Sequence, residues 1–585
     1  MNENVNKLKN WLSAPGAGES SRAELAALLS EYETSGEEGA AADEINDRFY
    51  RDLEFGTAGM RGVMGAGTNR VNVLTVRRAS QGFADSLLLA AKTPIKIAIA
   101  YDNRRDSDLF AFEAACVFMA NGIETYLFER LSSTPLLSYA VRKLGCAGGV
   151  VVTASHNPKQ YNGYKIYDAT GCQCLTEEAE RVAAKIAATD IETGIRTVAD
   201  RYEGTPAARA RAAAESESLL HLVGEDLENA YIDTVFALSV NQNVAKNLHV
   251  VYTPLNGTGN IPVRAILAKA DVGTVDVVEE QALPDPEFTT CPEPNPEKAA
   301  ALKLGLELCR AKQAAGSPPD ILLATDPDCD RVGVAVLSDG AYTQLTGNQI
   351  GVLLFDYIVT SRRQKGDMPE RPILVTTIVS TPLASVIAEK NGVETQKVLT
   401  GFKYIGEKIN GLEEKGEADR FLLGFEESCG YLSGVHVRDK DGVNAALLIC
   451  EMAGLYKAQG KTLTDRLDEI AKTYGYFVEE LAEFVKPGQK GMAEIRAIMA
   501  KARDPKMRDG FSAKLAHYND YEQGPAPRSD VVAFAFADGS SAILRPSGTE
   551  PKLKIYLSGR GDTPEAAKQS IDRIKDEILR GIETE

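Results

Sequence analysis

Three times along the chain, apolar residues form the same pattern: an apolar strand, a helix-like segment, and a second apolar strand that stops abruptly at a polar loop. The first strands are Ile95–Arg104, Leu248–Gly259 and Pro372–Pro382, and the second strands are Gly148–Pro158, Asp320–Arg331 and Arg420–Tyr431. Near-continuous apolar strands separated by helical stretches are typical of parallel or mixed sheets covered on both faces. Because ligands gather at the carboxyl ends of such strands, the three polar loops are functional candidates.

The C-terminal part of the chain follows a different pattern. Residues Val531–Gly559 contain an alternating strand, an Asp-Gly turn and two further strands, which predicts antiparallel hairpins, and a charged helix follows at Thr563–Leu579. The predicted fold is therefore three similar mixed α/β sheet domains followed by a smaller α+β domain. We place the domains at residues 1–215, 216–343, 344–473 and 474–585. Helical linkers are expected near Ala207–Leu238 and Ala445–Tyr474.

Composition and charge narrow the function classes. The chain has 585 residues, which is too long for one core, and a net charge of −18, which argues against nucleic-acid binding. Any anionic ligand must therefore be attracted by a local basic cluster. Nine scattered cysteines indicate reduced thiols rather than a disulfide framework. The chain shows neither an apolar run long enough to span a bilayer nor a signal peptide at its N-terminus, so a soluble, cytoplasmic protein without membrane contact is expected.

The loop DPDCDR places Asp326, Asp328 and Asp330 at every second position, directly after a buried strand. Three carboxylates this close repel one another unless a cation lies between them, and hard oxygen ligands suit Mg²⁺. The alternative is a solvated acidic turn. We favour a metal site because the triplet follows the apolar residues ILLAT and ends at Arg331.

Other loops carry weaker signals. RPSGTEPK combines Arg545, the hydroxyls of Ser547 and Thr549, and Gly548, which is the chemistry of a phosphate cradle, although a plain hairpin loop fits equally well.

GFEESCGY places Glu426 and Ser428 after a buried strand, where they suit hydrogen bonding to vicinal sugar hydroxyls, or simply form a polar strand end. Lys403 in TGFKYIG, Arg438 in HVRDKDG and Arg61 in the glycine-dense EFGTAGMRG are either ligand contacts or surface charges.

The combination of TASHNP, DPDCDR, GFEESCG and RPSGTEPK, in this order, resembles the α-D-phosphohexomutases over nearly the whole chain. The segments DRFYRDLEFGTAGMRG and TPLNGTG are most similar to the phosphoglucomutase/phosphopentomutase branch. The chain departs from many members at the metal loop, where they have glycines, and at Cys429 and Tyr431 of the sugar loop. These departures bear on substrate preference more than on mechanism.

The resemblance implies an active site in the central cleft and a role for each matching residue. Ser155 of TASHNP matches the serine that carries the phosphoryl group. Asp326, Asp328 and Asp330 match the aspartates that bind Mg²⁺ together with an oxygen on that serine. Arg331 would orient the same phosphoryl group.

The remaining matches concern the substrate. The segments that line the reaction centre contain Arg61, His156 and Lys165, one of which would transfer a proton. The sugar would be bound by Glu426, Ser428, Lys403 and Arg438. The phosphate that does not react would be bound by Arg545, Ser547, Gly548 and Thr549.

The resemblance thus implies a monomeric or weakly dimeric enzyme that binds sugar phosphates. We expect it to interconvert glucose 1-phosphate and glucose 6-phosphate through phosphoserine and glucose 1,6-bisphosphate. A phosphopentomutase, a phosphomannomutase and a relative that binds sugar phosphates without catalysis remain alternatives. A phosphatase is disfavoured because the serine loop would have no task.

Overall fold

Four sheets covered by helices follow one another along the chain in the computed structural model. The structure describes residues 3–13, 18–56, 59–90, 94–191, 193–485, 488–524, 527–546 and 552–583. Three helices precede the first sheet: α1 (Glu3–Ser13), α2 (Glu19–Ser35) and α3 (Ala40–Phe49). They pack on one another through a small apolar core that includes Trp11, Leu25 and Phe49 and reaches Leu74 of the next helix.

The first sheet, in domain I, has seven strands in the order β1-β2-β6-β5-β3-β4-β7. The strands are β1 (Phe55–Gly56), β2 (Gly59–Val63), β3 (Lys96–Tyr101), β4 (Glu124–Phe128), β5 (Gly148–Val152), β6 (Tyr161–Asp168) and β7 (Leu220–Val223). The helices of this part of the chain are α4 (Val73–Ala90), α5 (Ser107–Ala120), α6 (Thr134–Leu144), α7 (Thr176–Ala188), α8 (Pro206–Ser216) and α9 (Glu225–Phe236).

Domains II and III have smaller sheets. Domain II orders its strands β12-β11-β10-β8-β9, and its elements are β8 (His249–Thr253), α10 (Asn260–Lys269), β9 (Thr274–Val277), α11 (Lys303–Ala314), β10 (Ile321–Thr325), β11 (Val332–Ser338) and β12 (Ala341–Leu345). Domain III orders its strands β14-β13-β15-β16, and its elements are α12 (Gly347–Lys365), β13 (Ile373–Thr377), α13 (Pro382–Lys390), β14 (Glu394–Val398), α14 (Phe402–Glu414), β15 (Phe421–Glu426), β16 (Gly430–Leu432), α15 (Gly442–Ala458) and α16 (Leu463–Tyr474).

Domain IV is the predicted α+β unit. Its antiparallel sheet has the order β17-β21-β20-β19-β18. Its elements are β17 (Tyr476–Val485), α17 (Gly488–Arg503), α18 (Pro505–Asp509), β18 (Leu515–Asp520), β19 (Val532–Phe536), β20 (Ser541–Pro546), β21 (Lys552–Gly561) and α19 (Pro564–Glu583). Residues of α17 and α19 pack on one face of this sheet, including Ile495, Met499, Ile571 and Ile578.

The first three sheets contain the same four-strand arrangement, which confirms the predicted repeat. The predicted first and second strands are parallel neighbours in each sheet, as β3 and β5, β8 and β10, and β13 and β15. In each sheet the second strand is followed by an antiparallel strand, β6, β11 or β16. The loop between these two strands carries the serine motif, the aspartate motif or the Glu-Glu-Ser motif.

Two features of the repeat were not predicted. Each unit has an additional parallel strand, β4, β9 or β14, on the other side of its first strand. These strands lie toward the sheet edge and contain polar residues, as in TVDV and ETQKV, so they lack a continuous apolar run. The first expected helical linker also contains β7, which pairs with β4, so the first sheet continues past residue 215. The second expected linker is helical, as α15 and α16.

Among the residues that the structure describes, none of the helices combines the length and the apolar character needed to cross a membrane.

Candidate active site

Ser155 lies at the end of the fully buried strand β5, in the left-handed backbone region with φ of 52°. Its side-chain oxygen Oγ donates to Oδ2 of Asp326 at 2.8 Å and lies 3.1 Å from Nδ1 of His156. Its backbone N–H donates to Oγ1 of Thr153 at 2.8 Å. Ser155, the nucleophile indicated by the sequence, is therefore held at a fixed point against the metal loop. The serine belongs to domain I and the metal loop to domain II.

The three residues expected around Ser155 are close to it. His156 is its neighbour, and burial, followed by the positive charges of Arg331 and Arg61, holds the pKa of His156 well below its usual value of 6.5. The imidazole is therefore neutral at neutral pH. Lys165 donates from Nζ to Asp328 at 3.0 Å. Arg61 donates to the side chain of Asn157 at 3.0 Å, two residues after the serine.

Asp326, Asp328 and Asp330 are buried and each brings one carboxylate oxygen within 4.8 Å of the other two. Burial raises the pKa of Asp326, and the charges of its two neighbours raise it further. Burial opposes ionisation of Asp328 as well, but the charge and hydrogen bond of Lys165 help to lower the pKa of Asp328. Such a pattern is typical of acidic groups that share too little positive charge.

The unpaired oxygens of this cluster fit a cation. Asp328 uses Oδ2 to accept from Lys165 and from Oγ1 of Thr134, and Asp330 places Oδ2 at 3.1 Å from Nζ of Lys440. The other carboxylate oxygen of these two residues, Oδ1 of Asp328 and Oδ1 of Asp330, is buried and has no hydrogen-bond partner. Buried charged oxygens without partners are costly, and hard oxygen ligands of this kind suit a divalent cation. The aspartate cluster could therefore hold a metal next to Ser155.

The metal loop is also joined to the sugar loop. Arg331 forms an isolated antiparallel bridge with Gly430, and the next N–H along, that of Val332, donates to the carbonyl of Cys429 at 3.0 Å. The guanidinium of Arg331 lies 3.3 Å from Glu297, and Glu297 together with neighbouring carboxylates raises the pKa of Arg331 against the effect of burial. Arg331 is therefore a fixed positive charge between the two loops.

The predicted sugar-binding residues of GFEESCGY lie at the end of the buried strand β15. Glu426 accepts from the backbone N–H of Gly401 at 2.8 Å, which places it beside the turn before Lys403. Burial, and then the charge of Glu426, raises the pKa of Glu427 to about 7. Ser428 lines a cavity of about 680 Å³ between domains III and IV, whereas Ser155 does not. The cavity therefore adjoins the sugar loop rather than the serine.

Arg438 is placed differently from the expectation. Its side chain is fully buried, and its guanidinium donates to Asn410, to Glu413 and to the carbonyls of Val435 and Val437. All of its nitrogens are thus used inside the protein, and its backbone N–H donates to Ser138 of domain I at 2.9 Å. In this geometry Arg438 packs domain III against domain I, and its expected sugar contact stays a prediction that these bonds do not favour.

The predicted phosphate loop is described only in part. Arg545 lies near the end of β20. Burial raises the pKa of Glu427 in the sugar loop and of Tyr556 in β21, and the positive charge of Arg545 partly opposes both increases. Domain IV thus brings one basic residue of this motif near the sugar loop. Ser547, Gly548 and Thr549 lie outside the described residues, so their expected roles stay predictions.

Models of four consecutive domains match most of the chain. Their descriptions read "Phosphoglucomutase/phosphomannomutase", alpha/beta/alpha domains I, II and III and C-terminal domain, and they match residues 52–192, 229–339, 346–474 and 482–577. The chain belongs to the phosphoglucomutase/phosphomannomutase family. This assignment confirms the predicted membership of the α-D-phosphohexomutases and the class of enzyme, a phosphosugar mutase, which is an isomerase.

Similar family members differ in the sugar that their names specify. The chain is 34% identical over 545 residues to a phosphoglucomutase of Staphylococcus epidermidis, covering 91% of this chain and 95% of that protein. It is also 34% identical over 550 residues to a "Probable phosphoribomutase" of Schizosaccharomyces pombe, covering 90% of both chains. The crystal structure of Paramecium parafusin, a phosphoglucomutase in its open form, shares the fold with a TM-score of 0.67 at 18% identity and covers 91% of this chain and 95% of that one.

Two residues at this family site were missed by the sequence analysis. Lys440 is held between Asp330 and Asp439, at 3.1 and 3.0 Å, and lies 5.4 Å above the ring of Phe402. Lys440 lies in HVRDKDG two residues after Arg438, and the sequence pattern alone does not distinguish these two basic residues. Arg104 lies beneath Ser155 and follows the first strand of domain I, whereas only the loops after the second strands were considered.

Proposed function

We propose that the chain is a Mg²⁺-dependent phosphoglucomutase that interconverts glucose 1-phosphate and glucose 6-phosphate. One observation carries the proposal: the hydroxyl of Ser155 donates to Asp326 beside two buried aspartate oxygens that accept no hydrogen bond. A phosphoryl carrier and a cation site are needed together for phosphoryl transfer, because positioning and charge neutralisation supply most of the catalysis. The name of the Staphylococcus relative favours glucose as the sugar.

The proposed cycle has two transfers. Phosphoserine 155 loses its phosphorus–oxygen bond as the free hydroxyl oxygen of the sugar phosphate bonds to phosphorus, which gives glucose 1,6-bisphosphate. The bisphosphate then turns around and returns its other phosphate to the Ser155 oxygen. Glucose 1,6-bisphosphate is therefore both the intermediate and the activator that phosphorylates a dephosphorylated enzyme.

The residues around Ser155 have distinct proposed roles. The attacking hydroxyl must lose a proton, and neutral His156, whose ring adjoins Ser155 Oγ, is the proposed acceptor through the ring nitrogen that carries no hydrogen. Lys165 and Arg331 contribute positive charge on two sides of the transferred group. Glu426 and Ser428 would hold sugar hydroxyls, and Lys403 and Arg545 would contact the substrate from domains III and IV.

Asp326, Asp328 and Asp330 would hold the Mg²⁺ ion together with an oxygen on Ser155. When bound, the ion supplies Lewis-acid neutralisation of the phosphoryl oxygens. The three carboxylates are supplied by one short loop, and the oxygens of Asp328 and Asp330 that accept no hydrogen bond support this role. No soft ligand belongs to the cluster, since Cys329 within the loop packs toward Gly259 and Gly442.

A phosphopentomutase is the second candidate, because the yeast relative named for ribose is as similar in sequence as the Staphylococcus enzyme. The deciding experiment measures kcat/KM on glucose 1-phosphate, mannose 1-phosphate and ribose 1-phosphate with saturating Mg²⁺ and the matching bisphosphate. Glucose 1-phosphate should win by about 10-fold or more, which corresponds to roughly 1.4 kcal/mol of differential transition-state binding. A wide margin for ribose or mannose phosphate would reject the glucose assignment, and absence of turnover on all three would reject the mutase.

A further inference from the structure

Beneath the serine loop, the guanidinium of Arg104 is surrounded by backbone carbonyls. Nη2 donates to the carbonyls of Ser155 and Asn157, both at 2.5 Å. Nη1 donates to the carbonyls of Pro158 and Tyr161 at 3.0 and 3.1 Å. One side chain thus ties together the whole turn between β5 and β6, from the serine to the first residue of the returning strand.

Asp102 faces Arg104 as its ion-pair partner and accepts from the backbone N–H of Arg104 at 2.9 Å. Nε of Arg104 lies 3.2 Å from Oδ2 of Asp102, and both side chains are fully buried. Asp102 also accepts from Thr153 Oγ1 at 2.6 Å and from Ser107 Oγ at 2.8 Å. Because Thr153 in turn accepts from the backbone N–H of Ser155, the aspartate is linked to both sides of the serine.

A third contact comes from domain II. The ring of Phe288 lies under the guanidinium, with 5.1 Å between the guanidinium carbon and the ring centroid. The same segment is joined to the serine loop by an ion pair of 2.8 Å between Lys159 and Glu287. The arginine is therefore sandwiched between the serine loop and the domain that carries the metal loop.

This network explains how Ser155 keeps an unfavourable backbone conformation. A residue other than glycine is strained in the left-handed region, and it persists there only where its surroundings over-determine it. At Ser155 the carbonyl is held by Arg104 and the N–H by Thr153, so both neighbouring peptide groups are fixed. That conformation directs Oγ at Asp326 across the domain boundary.

We propose that Arg104, pinned by Asp102 and Phe288, is the positioning residue that holds the phosphoryl-carrying serine in its reactive geometry. The hydrogen bonds of the Arg104 guanidinium go to four backbone carbonyls of the serine loop rather than to the Ser155 side chain. The inference rests on the proposed function, because it gives Ser155 the task of carrying the phosphoryl group. It predicts an effect on turnover without a comparable effect on substrate binding.

The test replaces Arg104 with Lys, which keeps the charge but cannot reach four carbonyls with its single ammonium group. The matched control is Arg77→Lys, which alters another buried arginine of domain I, whose guanidinium pairs with Glu113 at 2.7 Å and Asp200 at 3.1 Å instead of with the serine loop. For each variant we would measure kcat and KM for glucose 1-phosphate, the melting temperature, and hydrogen exchange of a peptide covering residues 153–161.

We expect Arg104→Lys to lower kcat about 100-fold with KM changed less than about 3-fold, since a small misplacement of the reacting atom has that cost. Exchange of the serine-loop amides should rise about 10-fold, because their region loses local stability. Arg77→Lys should lower the melting temperature with kcat and serine-loop exchange unchanged. The proposal is overturned if kcat of Arg104→Lys stays within about 2-fold of the unmodified enzyme, or if both arginine variants lose kcat equally.

If Arg104→Lys does not fold, Phe288→Leu leaves the arginine and removes only the ring beneath it. This variant should lower kcat about 10-fold and raise serine-loop exchange, and an unchanged kcat would overturn the proposal. The exchange measurement separates this inference from the proposed function. If the unmodified enzyme has no mutase activity, the proposed function is rejected. If hydrogen exchange of the serine-loop amides is unchanged in Arg104→Lys, the positioning role is rejected, whether or not the enzyme is active.

Discussion

The serine loop of domain I and the metal loop of domain II occupy the same place in the repeated four-strand unit. Each follows a fully buried parallel strand, and each contains a residue other than glycine in the left-handed region, Ser155 with φ of 52° and Cys329 with φ of 54°. The corresponding residue of domain III, Cys429, has φ of 62°. The turn is thus a property of the unit, and the chemistry depends on which side chains it carries.

The two loops are supported in different ways. The serine loop is held mainly from within its own domain, by Arg104 and Asp102. The metal loop is held by its neighbours: Thr134 and Lys165 of domain I contact Asp328, and Lys440 of domain III contacts Asp330. The backbone of the nucleophile is therefore held mainly from domain I, with Phe288 of domain II packed against Arg104, whereas the metal loop takes its charge balance from three domains. Substitutions in the first loop should act on turnover, and those around the second should also act on stability.

The largest expected effect separates the nucleophile from the rest of the serine loop. Ser155→Ala should lower kcat by at least about 10⁴-fold, because the phosphoryl carrier is lost while metal site and substrate contacts stay. Its free energy of unfolding should change by about 1 kcal/mol or less, since the hydroxyl makes few hydrogen bonds. Steady-state mutase assays and thermal unfolding check both values. Substantial residual mutase activity would reject Ser155 as the carrier.

In the metal loop, Asp328→Asn should have the next largest effect. The substitution removes the charge opposite Lys165 and weakens one of the unpaired oxygens, so kcat should fall about 100-fold and the Mg²⁺ concentration for half-maximal activity should rise more than about 10-fold. Asp320→Asn, just before the buried strand that leads to the metal loop, is the control and should leave both values unchanged. An unchanged Mg²⁺ requirement in Asp328→Asn would contradict the proposed site.

The difference between the serine loop and the metal loop also explains which features could be predicted from the sequence. Ser155 and the three aspartates follow long apolar runs, so periodicity alone located both loops and the parallel strands before them. The strands β4, β9 and β14, on the other side of each first strand, lack such runs and were not predicted. Arg438 and Lys440 lie two residues apart in one basic segment, and only packing decides which enters the cleft. Arg104 was not predicted because its role depends on four backbone carbonyls of a turn, all of them more than fifty residues away along the chain.

Lys440 tests whether domain III balances the charge of the metal loop. Lys440→Met leaves Asp330 and Asp439 without their shared partner, which should cost about 3 kcal/mol of stability and lower kcat about 10-fold. Because a bound cation would neutralise Asp330, saturating MgCl₂ should raise the melting temperature of this variant more than that of the unmodified protein. Lys457→Met, which removes a half-exposed pair with Asp320, is the control. If saturating MgCl₂ raises the melting temperatures of Lys440→Met and of the unmodified protein equally, Lys440 does not balance the charge of the metal loop.

The smallest kinetic effect is expected from Arg438→Lys, which probes the domain contact next to Lys440. Lysine cannot replace the guanidinium bonds to Asn410, Glu413 and two carbonyls, so the free energy of unfolding should fall by about 2–4 kcal/mol. KM for glucose 1-phosphate should stay within about 2-fold, because the guanidinium is fully buried and does not reach the cleft. Arg142→Lys, which changes the partly exposed partner of the same Glu413, should cost at most about 1 kcal/mol. A KM raised about 10-fold with unchanged stability would instead restore Arg438 as a sugar contact, and domain III would then support the metal loop through Lys440 alone.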